Sequence, residues 1–321
     1  MVELRRDPVV ERWITIPRER AASIEGLFPG KQEVSRGACP FCPTAMHERE
    51  IYSIKDDQGR WSVLVVPDLR PILEMEGTLE RRAKGIYDGM SGVGAHEIVI
   101  ETREHNQSWA TMAADQLGLV LRAYRDRSSQ LRGDKRFRAI FMAKNYGGMA
   151  SRFSHPHSHV LALPIVPRTL VEEVQGSEDY FQYKERCVWC DVKEQELAKS
   201  ERTVALTDRF LVHTPYASRY PFELNVMPFR HVADFASSTD EEIADLGGCL
   251  RTTFEIVKNR LHDPSYSMII HSVPLRNASE HSYHWHIEIR PQLTSLAGFE
   301  WGTGFFTNPI PPEVAAQHLR G

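Results

Sequence analysis

The chain has 321 residues, 41% of them hydrophobic and 26% charged, with a formal net charge of −4. That length is generous for one core and sufficient for two domains of about 150 residues each. Without a basic stripe or an acidic tail, nothing calls for nucleic acid or an anionic membrane as partner, and a local basic pocket for a nucleotide stays compatible with an acidic whole. The N-terminus lacks a signal-like apolar run, and no segment approaches the roughly 18 apolar residues of a membrane span. A cytoplasmic protein is expected.

Residues 1–60 read as irregular, with short strands at most. Trp61 to Val66 is an apolar strand candidate closed by Pro67 and Asp68, and His96 to Glu101 is a second. A helix is predicted from about Ser108, with Trp109, Met112, Leu117, Val120 and Tyr124 on one face. Strands follow at Arg138–Ala143 and around His157, His159, Leu161 and Leu163, separated by a loop of small residues. The polar stretch Glu172–Lys184 is the expected boundary, which divides the chain into modules 1–171 and 172–321.

The second half repeats the order. Phe222–Met227 reads as a strand stopped by Pro228, and Ser238 with Glu241 as a capping box. Ile243, Leu246, Leu250, Phe254, Val257 and Leu261 then recur three or four residues apart, with Cys249 a core position. Strands Tyr266–His271 and His284–Ile289 complete it. Strand, helix, strand, strand in each half predicts an α+β class: two fused modules, each a mainly antiparallel sheet with a packed helix.

Ligand-type residues repeat in the same order. Cys39-Pro-Phe-Cys42, His105 and His155-Pro-His157 in one half answer to Cys187-Val-Trp-Cys190, His231 and His284-Trp-His286 in the other. Each CxxC offers two thiolates from one turn, and two distant histidines complete a tetrahedral site. Zinc is therefore expected, two per chain; iron also tolerates two thiolates and two imidazoles. A redox role for Cys39 and Cys42 is the alternative, disfavoured by the lack of a strand-to-helix context.

His155, His157 and His159 recur at period two, which on a strand puts three imidazoles on one face. A lone strand histidine is ordinarily structural; three on one face suit metal or catalysis. With His155 committed to metal, His157 is the candidate nucleophile. A neutral ring nitrogen attacks an α-phosphorus and holds the nucleotide as a phosphoramidate while the other nitrogen is anchored as a donor. Asn145, the backbone of Gly147 and Gly148, Ser151, Arg152 and His159 are the local candidates for stabilising phosphate oxygens.

These residues resemble the galactose-1-phosphate uridylyltransferase family of the histidine-triad superfamily. The resemblance runs from Leu4-Arg-Arg-Asp-Pro-Val and Trp13-Ile-Thr-Ile-Pro-Arg-Glu-Arg-Ala through the first CxxC, His96-Glu-Ile-Val-Ile-Glu-Thr-Arg-Glu-His105, His155-Pro-His157 and Phe222-Glu-Leu-Asn-Val-Met-Pro. It ends at His284-Trp-His-Ile-Glu-Ile-Arg-Pro and Gly298-Phe-Glu-Trp-Gly-Thr-Gly304. It implies a homodimer of two fused triad-like halves and a ping-pong exchange, in which UDP-glucose gives UMP to His157 and galactose 1-phosphate then takes it. It implies metal sites of Cys39, Cys42, His105 and His155, and of Cys187, Cys190, His231 and His284. Arg20, Asp68 and Asn145 match nucleotide-contacting positions, Glu300 and Asn308 fall in the tail that holds the sugar phosphate, and His286 and Glu288 line the second half's equivalent surface.

Uridylyltransferases proper usually carry glutamine two residues after the nucleophile; this chain has His159, and Arg152 stands where serine is common. Other readings are an ADP-glucose or dinucleotide phosphorylase using the same histidine with phosphate as acceptor, a hydrolase, and a non-enzymatic zinc-stabilised nucleotide-binding protein.

Overall fold

The structure is a computed structural model that describes residues 2–10, 13–17, 39–44, 49–148, 150–151, 153–276, 279–295 and 297–321. The first half contains β1 (Val2–Arg6), β2 (Trp13–Pro17), β3 (Tyr52–Lys55), β4 (Trp61–Pro67), the hairpin β5 (Arg81–Lys84) and β6 (Tyr87–Met90), β7 (Ala95–Ile100), α1 (Ala114–Leu131), β8 (Ala139–Tyr146) and β9 (His157–Leu163). Two helices follow, α2 (Arg168–Lys184) and α3 (Val188–Lys199). The second half runs β10 (Thr203–Leu206), β11 (Phe210–His213), β12 (Leu224–Pro228), α4 (Asp240–Arg260), β13 (Tyr266–His271) and β14 (His286–Pro291). A tail adds α5 (Gly298–Thr303), β15 (Phe306–Thr307) and α6 (Pro312–Arg320).

Ten strands form one antiparallel sheet in the order β10-β11-β12-β14-β13-β8-β9-β7-β4-β3. Read inward from either edge, each group of five has the same chain order, and the groups join where β13 pairs antiparallel with β8. The repeat is thus an architectural one, and the α+β class holds. β15 adds in parallel to β2 beside β1, which ties the tail to the N-terminal strands.

Both long helices cover one face of this sheet. Leu117, Val120 and Tyr124 of α1 and Leu246, Leu250 and Phe254 of α4 share a buried cluster with Val99, Met142, Val160, Ile270 and Ile287. Their apolar stripes meet side by side, and Trp109 packs edge-on to Phe254 with ring centroids 5.5 Å apart. At their crossing a side chain on Gly247 would fall 2.8 Å from the Ala114 oxygen, so only glycine permits the approach.

Several boundaries differ from expectation. The first helix starts at Ala114 rather than Ser108, because the amides of Thr111 and Met112 close a separate turn onto the Ser108 oxygen. The capping box is Thr239 with Glu242, one residue later than Ser238 with Glu241. Strand β14 begins at His286 and β9 at His157, so His155 and His284 precede their strands. In the first case Pro156 has no amide for the ladder and the His155 ring is drawn off towards Cys42. The second-half strand begins at Leu224 rather than Phe222, whose φ of 59° is incompatible with extended pairing. The polar stretch 172–184, the expected boundary, is most of α2.

Candidate active site and paired metal centres

On β9 the pleat sorts the side chains. Ser158 and Val160 turn to the helices, Ser158 accepting the Tyr124 hydroxyl at 2.6 Å, and His157 and His159 turn to the opposite face. There their rings lie 5.6 Å apart. The sequence pattern therefore brings His157 and His159 into one cavity, and the His155 ring faces Cys42 instead.

His157 is held by both its backbone and its ring. Its Nδ1–H donates to the His155 carbonyl at 2.7 Å, so its Nε2 carries the lone pair. Burial is the main cause that pushes the imidazole down to about 4, with the His155 carbonyl opposing and Lys144 reinforcing, so the ring is neutral near pH 7. Phe41 lies 4.8 Å away and Phe153 6.0 Å away between ring centroids, walls that exclude water from one side. Beneath the strand a buried ion pair, Lys144 with Glu101 at 2.7 Å, also takes the His157 carbonyl at 3.2 Å. The Trp109 indole donates to the same Glu101 oxygen at 2.8 Å.

Two cavities meet at His157. One, of 430 Å³, is lined by Phe41, Asp68, Ile98, Ser151, Phe153 and His159. The other, of 360 Å³, is lined by Asn145, Gly147, Gly148, Ser154 and Lys258. Asn145 borders both, and its Oδ1 accepts the Ser267 hydroxyl at 2.8 Å, which leaves its NH2 for the cavity. Gly147 has φ +82°, and its oxygen accepts the amides of Ala150 and Ser151, which folds the loop back beside His157. Asp68 is oriented by the Arg70 amide at 2.7 Å and reaches His96 at 3.4 Å.

The remaining sequence-derived site residues are dispersed. Arg20 and Arg152 lie outside the described residues. Glu300 and Asn308 line neither cavity at His157. Asn308 is fully buried and clasps the tail, donating to the carbonyls of Ser218 and Tyr220 and accepting the Ile310 amide. His96, Lys144, Glu101 and Phe41 were missed as site residues. A lysine inside the apolar strand Ala-Ile-Phe-Met-Ala-Lys was the legible signal for one of them.

Both predicted metal sets converge: in each, one ligand atom per residue lies within 4.8 Å of the others. Cys42 Sγ is 3.3 Å from His105 Nδ1 and 3.7 Å from His155 Nδ1, and Cys190 repeats these distances with His231 and His284. Tetrahedral zinc with ordinary bond lengths separates a sulfur and a nitrogen ligand by about 3.6 Å. The far nitrogens are anchored too: His105 by Ser154, His155 by the Thr102 oxygen and His231 by the Glu280 oxygen, each within 3.0 Å. Hydrogen bonds from Cys187, His231 and His284 hold Cys190 well below the ordinary thiol range, in the form a metal takes. The donor sets fit zinc.

The second half copies the frame but not the chemistry. His286 Nδ1 donates to the His284 carbonyl at 3.2 Å, as His157 does to His155. Its ring is sandwiched between Trp189 at 4.1 Å and His271 at 4.8 Å. Glu173 and Glu288 flank His271; they outweigh burial and raise it to about 10. The adjoining 450 Å³ cavity is lined by Glu173, Asp191, Glu223 and Glu288 together with Arg202 and Arg219, and Glu223 and Glu288 both pair with Arg219.

A sheet carrying a neutral, tautomer-fixed histidine between two cavities, in a frame repeated with a second Cys2His2 cluster, is the setting of a nucleotidyltransferase. Residues 73–167 match the family model for the N-terminal domain of galactose-1-phosphate uridyl transferase, and residues 173–298 the model for its C-terminal domain. The chain belongs to the galactose-1-phosphate uridyl transferase family. It is 32% identical to the ADP-glucose phosphorylase of Arabidopsis thaliana over 99% of this chain and 92% of that protein. It is 27% identical to the galactose-1-phosphate uridylyltransferase of Thermotoga maritima over 100% of this chain and 98% of that protein. The crystal structure of an Arabidopsis thaliana ADP-glucose phosphorylase with bound ADP-glucose superposes with a TM-score of 0.85 at 31% identity, covering 100% of this chain and 99% of that one.

Proposed function

We propose that the enzyme moves a nucleoside monophosphate from a nucleoside diphosphate hexose to a phosphate-bearing acceptor through a covalent bond to His157 Nε2. The observation that carries this is the Nδ1 anchor on the His155 carbonyl, which leaves the opposite nitrogen as a lone pair between two cavities. The lone pair attacks the α-phosphorus; the bond from that phosphorus to the bridging oxygen breaks, and hexose 1-phosphate leaves with the electron pair. A phosphate oxygen of the acceptor then attacks the same phosphorus, and the electrons of the N–P bond return to Nε2. The proton stays on Nδ1 throughout, donated to the His155 carbonyl. The Asn145 amide and the turn at Gly147 and Gly148 face the phosphates, and Asp68 with Phe41 and Ile98 faces the nucleoside.

Two donor and acceptor pairs have specific support. The family models favour UMP exchange between UDP-glucose and galactose 1-phosphate. The identity and superposition with ADP-glucose phosphorylase favour ADP-glucose with inorganic phosphate. Incubation with each donor separately, followed by intact-mass detection, shows which nucleotide is trapped; adding galactose 1-phosphate or phosphate to the adduct shows which acceptor clears it. If neither donor labels His157, the covalent route is overturned.

The same proposal includes zinc in both Cys2His2 sets, where it would fix the loops that carry His155 and His284. The chain is read as two modules, 1–171 and 172–321, supported by the repeated strand order. The family resemblance supports a homodimer. Five free thiols suit a reducing cytoplasm, and among the described residues no helix is long and apolar enough to cross a membrane.

A further inference from the structure

His159 replaces the glutamine usual at its position, and the residues behind it decide what it can do. The Ile72 amide donates to His96 Nδ1 at 3.2 Å. A backbone N–H only donates, so His96 Nδ1 is an acceptor, and in a neutral imidazole the single proton then sits on Nε2. That nitrogen lies 3.1 Å from His159 Nδ1, with the two rings stacked at 5.3 Å. His159 Nδ1 therefore accepts, and its own proton is displaced to Nε2, the nitrogen left for the cavity it shares with His157. Asp68 Oδ2 is 3.4 Å from His96 Nε2 and 3.8 Å from His159 Nδ1, too far from the latter for a competing hydrogen bond.

We propose that His96 is a positioning residue that, backed by the Ile72 amide, locks His159 as a neutral Nε2–H donor aimed at the phosphate held by His157. The inference rests on the nucleotidyl-transfer reading above. A glutamine amide carries its own N–H donors and needs no such lock; a histidine presents a donor or a lone pair according to tautomer, so the second imidazole compensates for the first. Burial lowers both rings from their ordinary values, His159 to about 4, which keeps the pair neutral near pH 7. The second half supplies the contrast. Ile98 faces His159 across its ladder as Asn225 faces Glu288, which puts Glu223 at the place of His96. Those two carboxylates bind Arg219 instead, and no donor pair forms there.

The test reads tautomers directly by 15N-histidine NMR of the resting enzyme, before any substrate is added. The expected spectrum has His96 and His159 both neutral with the proton on Nε2. His96→Leu should turn His159 into a tautomer mixture and lower kcat/KM by about tenfold, less than the 100-fold or more of losing an oxyanion donor outright. His96→Gln, which places an amide donor near the old Nε2, should restore most of both. In a His159→Gln background, His96→Leu should cost little more, because the amide needs no lock. A wild-type His159 protonated on Nδ1, or an equal His96→Leu loss in both backgrounds, overturns the proposal. So does movement of both resonances on adding zinc beyond two equivalents, which would make Asp68, His96 and His159 a metal site instead. Normal tautomers with no nucleotide adduct from any donor would sink the transfer reading while leaving the lock intact.

Discussion

His155 joins the first Cys2His2 cluster to His157. Its imidazole Nδ1 lies 3.7 Å from Cys42 Sγ, and its carbonyl accepts the Nδ1–H of His157 at 2.7 Å. One residue thus faces the thiolates with its ring and fixes the reactive tautomer with its backbone.

The two metal centres should therefore separate functionally. Cys42→Ser is expected to remove about one zinc equivalent and lower kcat/KM by roughly 10- to 100-fold, the range for groups that orient a site from behind. Cys190→Ser should lose the other equivalent and lower thermal stability, with activity largely kept, since its partner His284 anchors only His286. Metal analysis beside steady-state kinetics checks both; equal activity losses would show that the first centre has no special link to His157.

Replacing His157 by Asn should abolish the adduct and reduce turnover by at least about a thousandfold, because among the described residues no other imidazole lines both cavities. Nucleotide binding should survive, as Asp68, Asn145 and the glycine turn are untouched. Isothermal titration beside intact-mass analysis separates the two effects. An adduct surviving in the variant would move the nucleophile elsewhere.

Lys144→Met should destabilise the fold by about 3–5 kcal/mol, because it strands the Glu101 carboxylate in a fully buried site. The double variant Lys144→Met, Glu101→Gln should recover much of that loss, since the amide still accepts the Trp109 indole without carrying a charge. Denaturant unfolding of the four proteins gives the cycle; equal losses in the single and double variants would mean the charge pair is not the cause.

Much of this was legible in the sequence, for identifiable reasons. The α4 stripe and β13 follow from periodicity alone, and the CxxC, His, HxH order names eight ligands that the fold brings into two clusters. What failed depends on three-dimensional partners. Period two placed His155 on the strand with His157, but the pull of Cys42 and the missing Pro156 amide take it off. The helix over 172–184 was not legible because α2 buries only Leu170, Glu173, Val174 and Ser177, a stripe with two polar members. His96 could not be singled out, since its role lies in the Ile72 amide and the His159 ring, contacts separated by tens of residues.

The capping box of α4 gives a pH-dependent prediction. Glu242 accepts the Thr239 amide at 2.9 Å and pairs with Arg230 at 2.7 Å; the Arg230 hydrogen bond, against the cost of burial, holds its carboxyl below the usual value. A folded pKa below the unfolded one gives stability that is present above about 4.5 and is lost as pH falls through the depressed folded value. Glu242→Gln should thus cost about 1 kcal/mol at pH 7, and the gap to wild type should close on acidification. Urea unfolding at pH 7, 5 and 4 reads it; a gap that widens towards acid would reverse the sign.

Gly147 tests whether the loop beside His157 tolerates change. Its φ of +82° is costly for any other residue, and an added Cβ would sit 2.3 Å from Ser265 Oγ and 2.9 Å from Ser265 Cα. The hydroxyl can rotate away, but the backbone atom belongs to the segment leading into β13, whose Ser267 orients Asn145. Gly147→Ala should therefore cost about 1–3 kcal/mol of stability and also raise KM for the nucleotide donor, through displacement of the Asn145 amide. Ser265→Gly in the same chain should relieve the clash with the hydroxyl but not the strain at φ or the contact with Cα, giving partial rescue. Full recovery would show that crowding by the Ser265 side chain alone, and not the backbone conformation, requires glycine here.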